Sequence, residues 1–277
     1  MYDRIRRRLR FAVFVAGALL VAGAARAADV PNIAAAASLQ FALTDVAAAF
    51  KRTTGHDVRL SFGSSGNLRR QIADGAPFEL FLSADAGYAD ALVRERRTAD
   101  AGVVYAVGRL ALFVANGSPV NTDPALRDVA AALTDGRLRK FAIANPELAP
   151  YGHAAQQALE HAGLWRRIQS HLVLGENISQ AAQFAASGAA QAGIVAYSLV
   201  QSPGMEARGR WVVLPAADHD RLAQKMVLLK GAGSTARAFA AFIVSAPARA
   251  ILSRYGFEPP DGSGTAGANG GTGRAPG

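Results

Sequence analysis

The stretch from Asn32 to Phe50, NIAAAASLQFALTDVAAAF, changes its pattern at Ser38. Before the serine lies a short aliphatic run, and its length is typical of a buried strand over residues 32–35. After the serine, large apolar residues recur at the spacing of one helix face, at Leu39, Leu43, Val46 and Phe50. This spacing predicts a helix over 39–53, so that Ser38 stands at a strand-to-helix junction.

The same change from an aliphatic run to an alanine-rich amphipathic stretch recurs along the chain. Strands are predicted at 32–35, 57–61, 80–83, 104–114, 140–144, 171–174, 193–195, 211–214 and 226–229. Helices are predicted at 39–53, 67–74, 86–94, 150–161, 178–187 and 234–244, with a last turn at 246–254. Alternation of this kind predicts an α/β fold of mostly parallel sheets flanked by helices.

Both ends of the chain differ from this pattern. Residues 1–27 combine a cluster of arginines, an apolar run over 11–23 and the small-x-small triplet Ala25-Arg26-Ala27. These features predict a cleavable signal peptide and export to the periplasm. A membrane anchor is less favoured, because the apolar run is about 13 residues where a span needs about 20. Residues 259–277 are rich in glycine, proline and alanine, and they predict a disordered tail.

Charge and cysteine content exclude several functions. The chain has 30 Lys and Arg against 21 Asp and Glu, a net charge of +9. Six of the basic residues and one acidic residue lie in 1–27, so the remainder carries +4. Its basic residues form no stripe with interleaved aromatic side chains, and we therefore expect no nucleic acid partner. The chain has no cysteine, which excludes disulfides, a thiolate nucleophile and cysteine-bound metals.

Four strand-to-helix junctions carry polar or glycine-rich sequence. They are Ser38, Ser65 within FGSSGN (62–67), Tyr151 within PYG (150–152), and the pair Asn177-Ile178. A helix begins with backbone N–H groups that have no acceptor, at the positive end of its dipole. Several such ends that meet in one cleft bind an anion without any lysine or arginine. Serine and asparagine are also favoured N-cap residues, so each junction alone is open to a purely structural interpretation.

Eight short segments carry a resemblance to a known family. In chain order they are AAAASL (34–39), FGSSGNL (62–68), LSAD (82–85), NPE (145–147), APYG (149–152), GEN (175–177), GIV (193–195) and RYGF (254–257). Each segment is short, but together, in this order over about residues 30–258, they resemble the periplasmic molybdate-binding proteins of ABC transporters.

The resemblance implies a two-lobed type II periplasmic binding fold. Its lobes are expected at 28–107 with 222–258, and at 108–221. The implied ligand is molybdate, with tungstate as a second oxyanion, and the implied partner is an ABC permease in the inner membrane. No cofactor is implied, and molybdenum enters only as the oxyanion rather than as a bare metal cation. A monomer is the simplest oligomeric state.

The resemblance also implies ligand residues. Ser38 and Ser65 are each expected to give a hydroxyl and an N–H, whereas Tyr151 and Ile178 give backbone N–H only. Some family members add a tyrosine hydroxyl after the GIV strand, where this chain has Ala196 and then Tyr197. Tyr197 is included as a candidate, although one residue on a strand turns a side chain to the opposite face.

Other functions stay open at this stage. The same role for sulfate or another small oxyanion fits the same junctions. A serine-dependent hydrolase is a weaker alternative, because Gly63-Ser64-Ser65-Gly66 is followed by Asn67 where the Gly-x-Ser-x-Gly motif around Ser65 needs glycine. A sensory or regulatory domain would need an attached signalling module. We therefore predict a binding protein rather than an enzyme.

Overall fold

The computed structural model describes residues 30–260 of the chain. The predicted signal peptide at 1–27 and most of the predicted tail at 259–277 lie outside these residues.

Ten strands and ten α-helices make up the part that the structure describes. The strands are β1 (Asn32–Ala36), β2 (Arg59–Gly63), β3 (Leu80–Ser83), β4 (Val103–Gly108), β5 (Leu110–Ala115), β6 (Phe141–Ala144), β7 (Leu172–Gly175), β8 (Ala192–Ala196), β9 (Gly209–Val213) and β10 (Leu222–Leu228). The helices are α1 (Gln40–Thr54), α2 (Ser65–Ala73), α3 (Ala86–Arg94), α4 (Arg127–Thr134), α5 (Pro150–His161), α6 (Trp165–Ile168), α7 (Ile178–Ala186), α8 (Tyr197–Val200), α9 (Ser234–Ile243) and α10 (Ala246–Arg254). Short 3-10 turns lie at Ala37–Leu39, Gln169–His171 and Ala216–Asp218.

The strands form two sheets of the same design. The first has the order β2-β1-β3-β10-β4 and the second the order β7-β6-β8-β5-β9. In each sheet the fourth strand, β10 or β5, is antiparallel to both of its neighbours, so the other four strands run one way. The prediction of mostly parallel sheets flanked by helices is confirmed. We call the first sheet with its helices the first lobe, and the second sheet with its helices the second lobe.

The chain passes between the lobes at Arg109. One strand was expected over 104–114, but β4 ends at Gly108 in the first sheet and β5 begins at Leu110 in the second. The expectation was wrong because the apolar, largely buried runs on both sides were joined across Gly108 and Arg109, the glycine and charged residue at which the chain leaves one sheet for the other. The chain returns to the first lobe between β9 and β10.

Three of the helices lie where no helix was expected. They are the short elements α4, α6 and α8. Of these, α8 matters for the site, because it begins at Tyr197 directly after β8 ends at Ala196. Tyr197 therefore starts a helix instead of continuing a strand.

The helices are held to the sheets by apolar side chains at helical spacing. In α1, Leu43, Val46 and Phe50 are buried, and each such side chain contributes about 1.5–3 kcal/mol on burial. Phe50 also makes edge-to-face contacts with Phe239 and Phe242 of α9, at ring-centroid distances of 5.1 and 5.6 Å. These contacts fix the C-terminal helix pair to the lobe that contains β1.

Within residues 30–260, no single helix is long and apolar enough to cross a membrane. Helices α9 and α10 meet the length and composition requirements only when taken together, and they are bent by 61° at their break.

Candidate functional site

A small cavity lies where the two lobes meet. Its volume is about 10 Å³, which is room for about one water molecule. It is lined by Ala36, Ala37, Ser38, Gly63, Ser64, Ser65 and Ala84 of the first lobe and by Ala149, Pro150, Tyr151 and Ile178 of the second. Four of the five predicted site residues, namely Ser38, Ser65, Tyr151 and Ile178, therefore lie around one space.

The first lobe brings its two serines together through neighbouring strands. β1 and β2 pair in parallel, with Ala36 opposite Gly63, so their carboxyl ends meet at one edge of the sheet. The chain that leaves these ends carries Ser38 in a 3-10 turn and Ser65 at the start of α2. Both serines are almost completely buried, with exposures of 1% and 0%.

Neither of the two serines serves as a helix cap. The cap of α2 is Ser64, whose Oγ accepts a hydrogen bond from the N–H of Asn67 at 3.4 Å. Ser65 Oγ accepts from the N–H of Ala84 at 3.0 Å, which leaves its own hydroxyl hydrogen free to donate. Ser38 Oγ is buried and has no hydrogen-bond partner within residues 30–260. The two hydroxyls can thus donate to a ligand in the cavity.

The second lobe repeats this arrangement with backbone groups. β6 and β7 pair in parallel, with Ala144 opposite Gly175, and they lead into α5 and α7. Asn177 caps α7 by accepting from the N–H groups of Ser179 and Gln180 at 3.0 and 3.1 Å. Ile178 is the first residue of its helix and Tyr151 the second, so their N–H groups have no acceptor inside the helix.

The Tyr151 side chain turns away from these backbone groups toward the first crossing between the lobes. Its hydroxyl lies so close to Gly108 that a Cβ at that position would collide with it. Burial raises the pKa of Tyr151 far above its usual range, and the nearby Ser38 hydroxyl lowers it by less. Burial likewise raises the pKa of Tyr105, whose ring is near Tyr151. Both phenols therefore stay protonated and neutral at physiological pH.

Tyr197 does not lie with the other four predicted residues. It is not among the residues that line the cavity, and its ring packs against Gly256 near the C-terminus. Its N–H donates to the carbonyl of Arg109 at 2.9 Å. The physical reason is the end of β8 at Ala196, because the following helical turn directs the side chain away from the cleft.

Two serines that sequence reasoning missed lie directly behind the cavity. Ser179 Oγ donates to the carbonyl of Ala37 at 3.0 Å, and Ser198 Oγ donates to the carbonyl of Ser38 at 2.7 Å. A third bond between the lobes joins the N–H of Gly66 to the carbonyl of Leu148 at 3.0 Å. No motif distinguishes these serines from surface residues, since their partners are backbone groups about 140 to 160 positions away in the chain.

The cavity is electrically neutral and rich in donors. All of its lining residues are uncharged. Charged side chains lie instead around a larger open groove of about 650 Å³, where arginines stand beside carboxylates and Arg69 pairs with Glu95. Within the described part of the chain, no three His, Asp or Glu side chains are grouped so that they could hold a metal ion. The arrangement of the cavity suits an anion that is bound by hydrogen bonds alone.

The chain is similar to known proteins over most of its length. Residues 31–258 match the family model of bacterial extracellular solute-binding proteins. The chain is similar to the molybdate-binding protein ModA of Azotobacter vinelandii, with 38% identity over 88% of this chain and 96% of that protein. It is equally similar to ModA of Rhodobacter capsulatus, with 38% identity over 86% of this chain and 92% of that protein. The solved structure of the periplasmic molybdate-binding protein of A. vinelandii superposes with a TM-score of 0.74 at 31% identity, covering 82% of this chain and 98% of that one.

Proposed function

The chain belongs to the family of bacterial extracellular solute-binding proteins and, within it, to the molybdate-binding proteins, and we propose that it captures molybdate or tungstate between its two lobes for delivery to an ABC permease. The observation that carries this proposal is the meeting of four strand-to-helix junctions, two from each lobe, around one neutral cavity. In this site Ser38 and Ser65 each give a hydroxyl and an N–H. Tyr151 and Ile178 each give an N–H.

The chemistry of these groups selects a fully deprotonated oxyanion. Four of the six groups assigned to the ligand are backbone N–H groups, which only donate. An anion that carries a proton has only a serine oxygen to accept it, at the cost of that hydroxyl's own bond to the anion. At neutral pH phosphate always carries at least one such proton, as HPO4²⁻ or H2PO4⁻, whereas molybdate, tungstate and sulfate carry none. A hydrogen bond to a charged partner contributes about 1.5–3 kcal/mol. Six such bonds, less the costs of association and closure, correspond to a dissociation constant between about micromolar and nanomolar.

Capture would proceed by movement of the lobes about their crossings. We propose that 28–107 with 222–258 moves as one body and 108–221 as the other. A cavity of about 10 Å³ is smaller than a tetrahedral oxyanion, so the walls would stand slightly further apart around the ligand. The ligand favours the closed state because it makes contacts in both lobes at once.

The proposed location is the periplasm. The pattern of residues 1–27 supports export through a cleavable signal peptide. The protein would act there as a monomer that delivers its ligand to the permease in the inner membrane.

Sulfate binding is a second candidate function, because a donor-only site accepts any tetrahedral dianion and cavity size would decide among them. A hydrolase is disfavoured by the surroundings of Ser65. Its oxygen is engaged by the backbone N–H of Ala84, and His153 lies in the larger groove instead. The family to which the chain belongs consists of solute-binding proteins rather than enzymes.

The test is calorimetric titration of the exported protein with molybdate, tungstate, sulfate and phosphate in separate experiments. We expect one-to-one binding of molybdate and tungstate with a micromolar or lower dissociation constant, and binding of sulfate at least about 100-fold weaker. Ser202→Ala is a matched control, because its buried hydroxyl bonds to Leu199 within the second lobe. Binding of sulfate alone would reassign the ligand, and heat from none of the four anions would contradict the proposal.

A further inference from the structure

Ser38 is held from behind by two hydroxyl groups of the opposite lobe. Ser179 of α7 donates to the carbonyl of Ala37 at 3.0 Å. Ser198 of α8 donates to the carbonyl of Ser38 itself at 2.7 Å, in a buried position. Ser179 and Ser198 are not among the residues that line the cavity, so neither is placed to touch the anion.

The bond from Ser179 acts on a group that is assigned to the ligand. The carbonyl of Ala37 and the N–H of Ser38 belong to the same peptide unit. A hydrogen bond accepted by the carbonyl oxygen polarises that unit and makes its N–H a stronger donor. A chain of hydrogen bonds therefore runs from the Ser179 hydroxyl through the peptide unit to the anion.

The side chain of Gln40 adds one more hydrogen bond to this series. Its side-chain oxygen lies 2.9 Å from Ser179 Oγ, but a hydroxyl has a single hydrogen and cannot donate to Gln40 and Ala37 at once. Oxygen and nitrogen of an amide are interchangeable by a half turn of the side chain. With the nitrogen toward Ser179, Gln40 donates to the hydroxyl, and the hydroxyl donates to Ala37.

These bonds exist only while the lobes are together. Ala37, Ser38 and Gln40 lie in the first lobe, and Ser179 and Ser198 lie in the second. Separation of the lobes takes both hydroxyls away from their acceptors. It also breaks the contacts that the second lobe makes with the ligand. Closure thus strengthens the N–H of Ser38 as a donor without adding a contact to the ligand.

We propose that Ser179 and Ser198 are positioning residues, which couple closure of the lobes to the strength and orientation of Ser38 as an anion donor. This inference rests on the proposed function, because it concerns the same site. It also predicts where the effect appears in the kinetics. The bonds form after the ligand has entered the open cleft, so their loss accelerates dissociation and leaves association unchanged.

The experiment compares Ser179→Ala, Ser198→Ala and the double variant with Ser202→Ala in the full exported protein. Dissociation constants for molybdate are measured by calorimetry, and dissociation rates by a chase of radioactive molybdate with unlabelled molybdate. We expect each single variant to bind about fivefold more weakly, with the whole change in the dissociation rate. Ser179→Thr retains a hydroxyl at a half-buried position and should bind within about twofold of the parent.

Three outcomes would overturn the inference, and they can be told apart. If the parent binds molybdate but both alanine variants match Ser202→Ala in affinity and rate, the coupling is wrong and the proposed function stands. A slower association with unchanged dissociation would also refute the coupling. If the parent binds no anion, the proposed function fails and this inference fails with it.

Discussion

The two walls of the cavity are built in the same way but offer different groups to a ligand. Each wall begins with two neighbouring parallel strands, β1 and β2 in one lobe and β6 and β7 in the other, that lead into helical turns. The wall of the first lobe carries buried serine hydroxyls together with N–H groups. The wall of the second lobe carries the N–H groups of Tyr151 and Ile178, and the Tyr151 hydroxyl lies near Gly108 and Ser38.

This difference shows where side-chain identity matters. A backbone N–H is present for any residue except proline, so the second wall tolerates substitution as long as its helices begin at the same positions. A hydroxyl is supplied by few residues, so the first wall depends on its serines. Substitutions that change one wall at a time therefore distinguish side-chain donors from backbone donors.

The largest effect is expected from removal of both hydroxyls of the first wall. Ser38→Ala with Ser65→Ala should weaken molybdate binding by at least about 100-fold, because each lost bond to the anion contributes about 1.5–3 kcal/mol. Calorimetric titration measures the loss. Ser38→Ala alone removes a buried hydroxyl that has no hydrogen-bond partner within residues 30–260, so the free energy of unfolding should stay equal or rise. Ser65→Ala leaves the N–H of Ala84 without its acceptor and should lower the free energy of unfolding by about 1–3 kcal/mol. Full affinity in the double variant would show that the hydroxyls of the first wall do not bind the anion.

The next largest effect is expected from removal of a single N–H in the second wall. Ile178→Pro deletes the N–H at the first position of α7, where proline is well tolerated. The preceding Asn177 has φ −147° and ψ 173°, which is the extended conformation that a residue before proline prefers. We expect binding to weaken about tenfold or more, with the helical circular dichroism signal unchanged.

Ile178→Val is the matched control for this substitution. It keeps the N–H and should bind within about 1.5-fold of the parent, although loss of a buried methylene lowers the free energy of unfolding by about 0.5–1.5 kcal/mol. If the proline variant bound as tightly as the valine variant, the second wall would contribute no backbone donor at Ile178.

A smaller effect, about tenfold, is expected where the two walls touch each other. A Cβ on Gly66 would lie 2.7 Å from the carbonyl oxygen of Leu148 across the cleft. Gly66→Ala should therefore oppose closure, while alanine favours α2 itself over glycine by up to about 1 kcal/mol. Weaker binding together with an equal or higher unfolding midpoint of the ligand-free protein is the expected combination. An unchanged affinity would show that the lobes do not need this close approach.

The sequence was sufficient to predict the strand-to-helix junctions but not the contacts between segments that are distant in the chain. A change of hydrophobic period marks the four strand-to-helix junctions, and the family resemblance implied Ser38, Ser65, Tyr151 and Ile178 as the ligand residues within them. The structure places all four around one cavity. The strand over 104–114 was expected to be unbroken, although the resemblance implied a lobe boundary between residues 107 and 108, because the runs on both sides of Gly108 and Arg109 are apolar. Ser179 and Ser198 were missed because their acceptors are carbonyl groups, which every residue has.

The placement of Tyr197 also depends on pairing with a distant segment, which the local sequence does not show. Tyr197 was included as a site residue because some family members use a tyrosine after the GIV segment, although a strand that continued to Tyr197 would turn its side chain to the opposite face. The strand ends at Ala196, and one residue of strand length decides which way the next side chain is directed. Strand ends are set by hydrogen-bond pairing with β5 rather than by the local sequence, so the pattern of the segment alone could not fix this position.

The smallest effect is expected at Tyr151, the residue of the second wall whose side chain carries a hydroxyl. Its hydroxyl is buried and has no hydrogen bond of ordinary geometry within residues 30–260. Tyr151→Phe removes only the interaction with the nearby Ser38 hydroxyl, and we expect the dissociation constant for molybdate to change by less than about twofold. The free energy of unfolding should stay equal or rise, because a buried polar group without a partner is costly. A tenfold loss of affinity would instead make this hydroxyl a ligand donor, so that both walls use side chains and Tyr151 takes the role first considered for Tyr197.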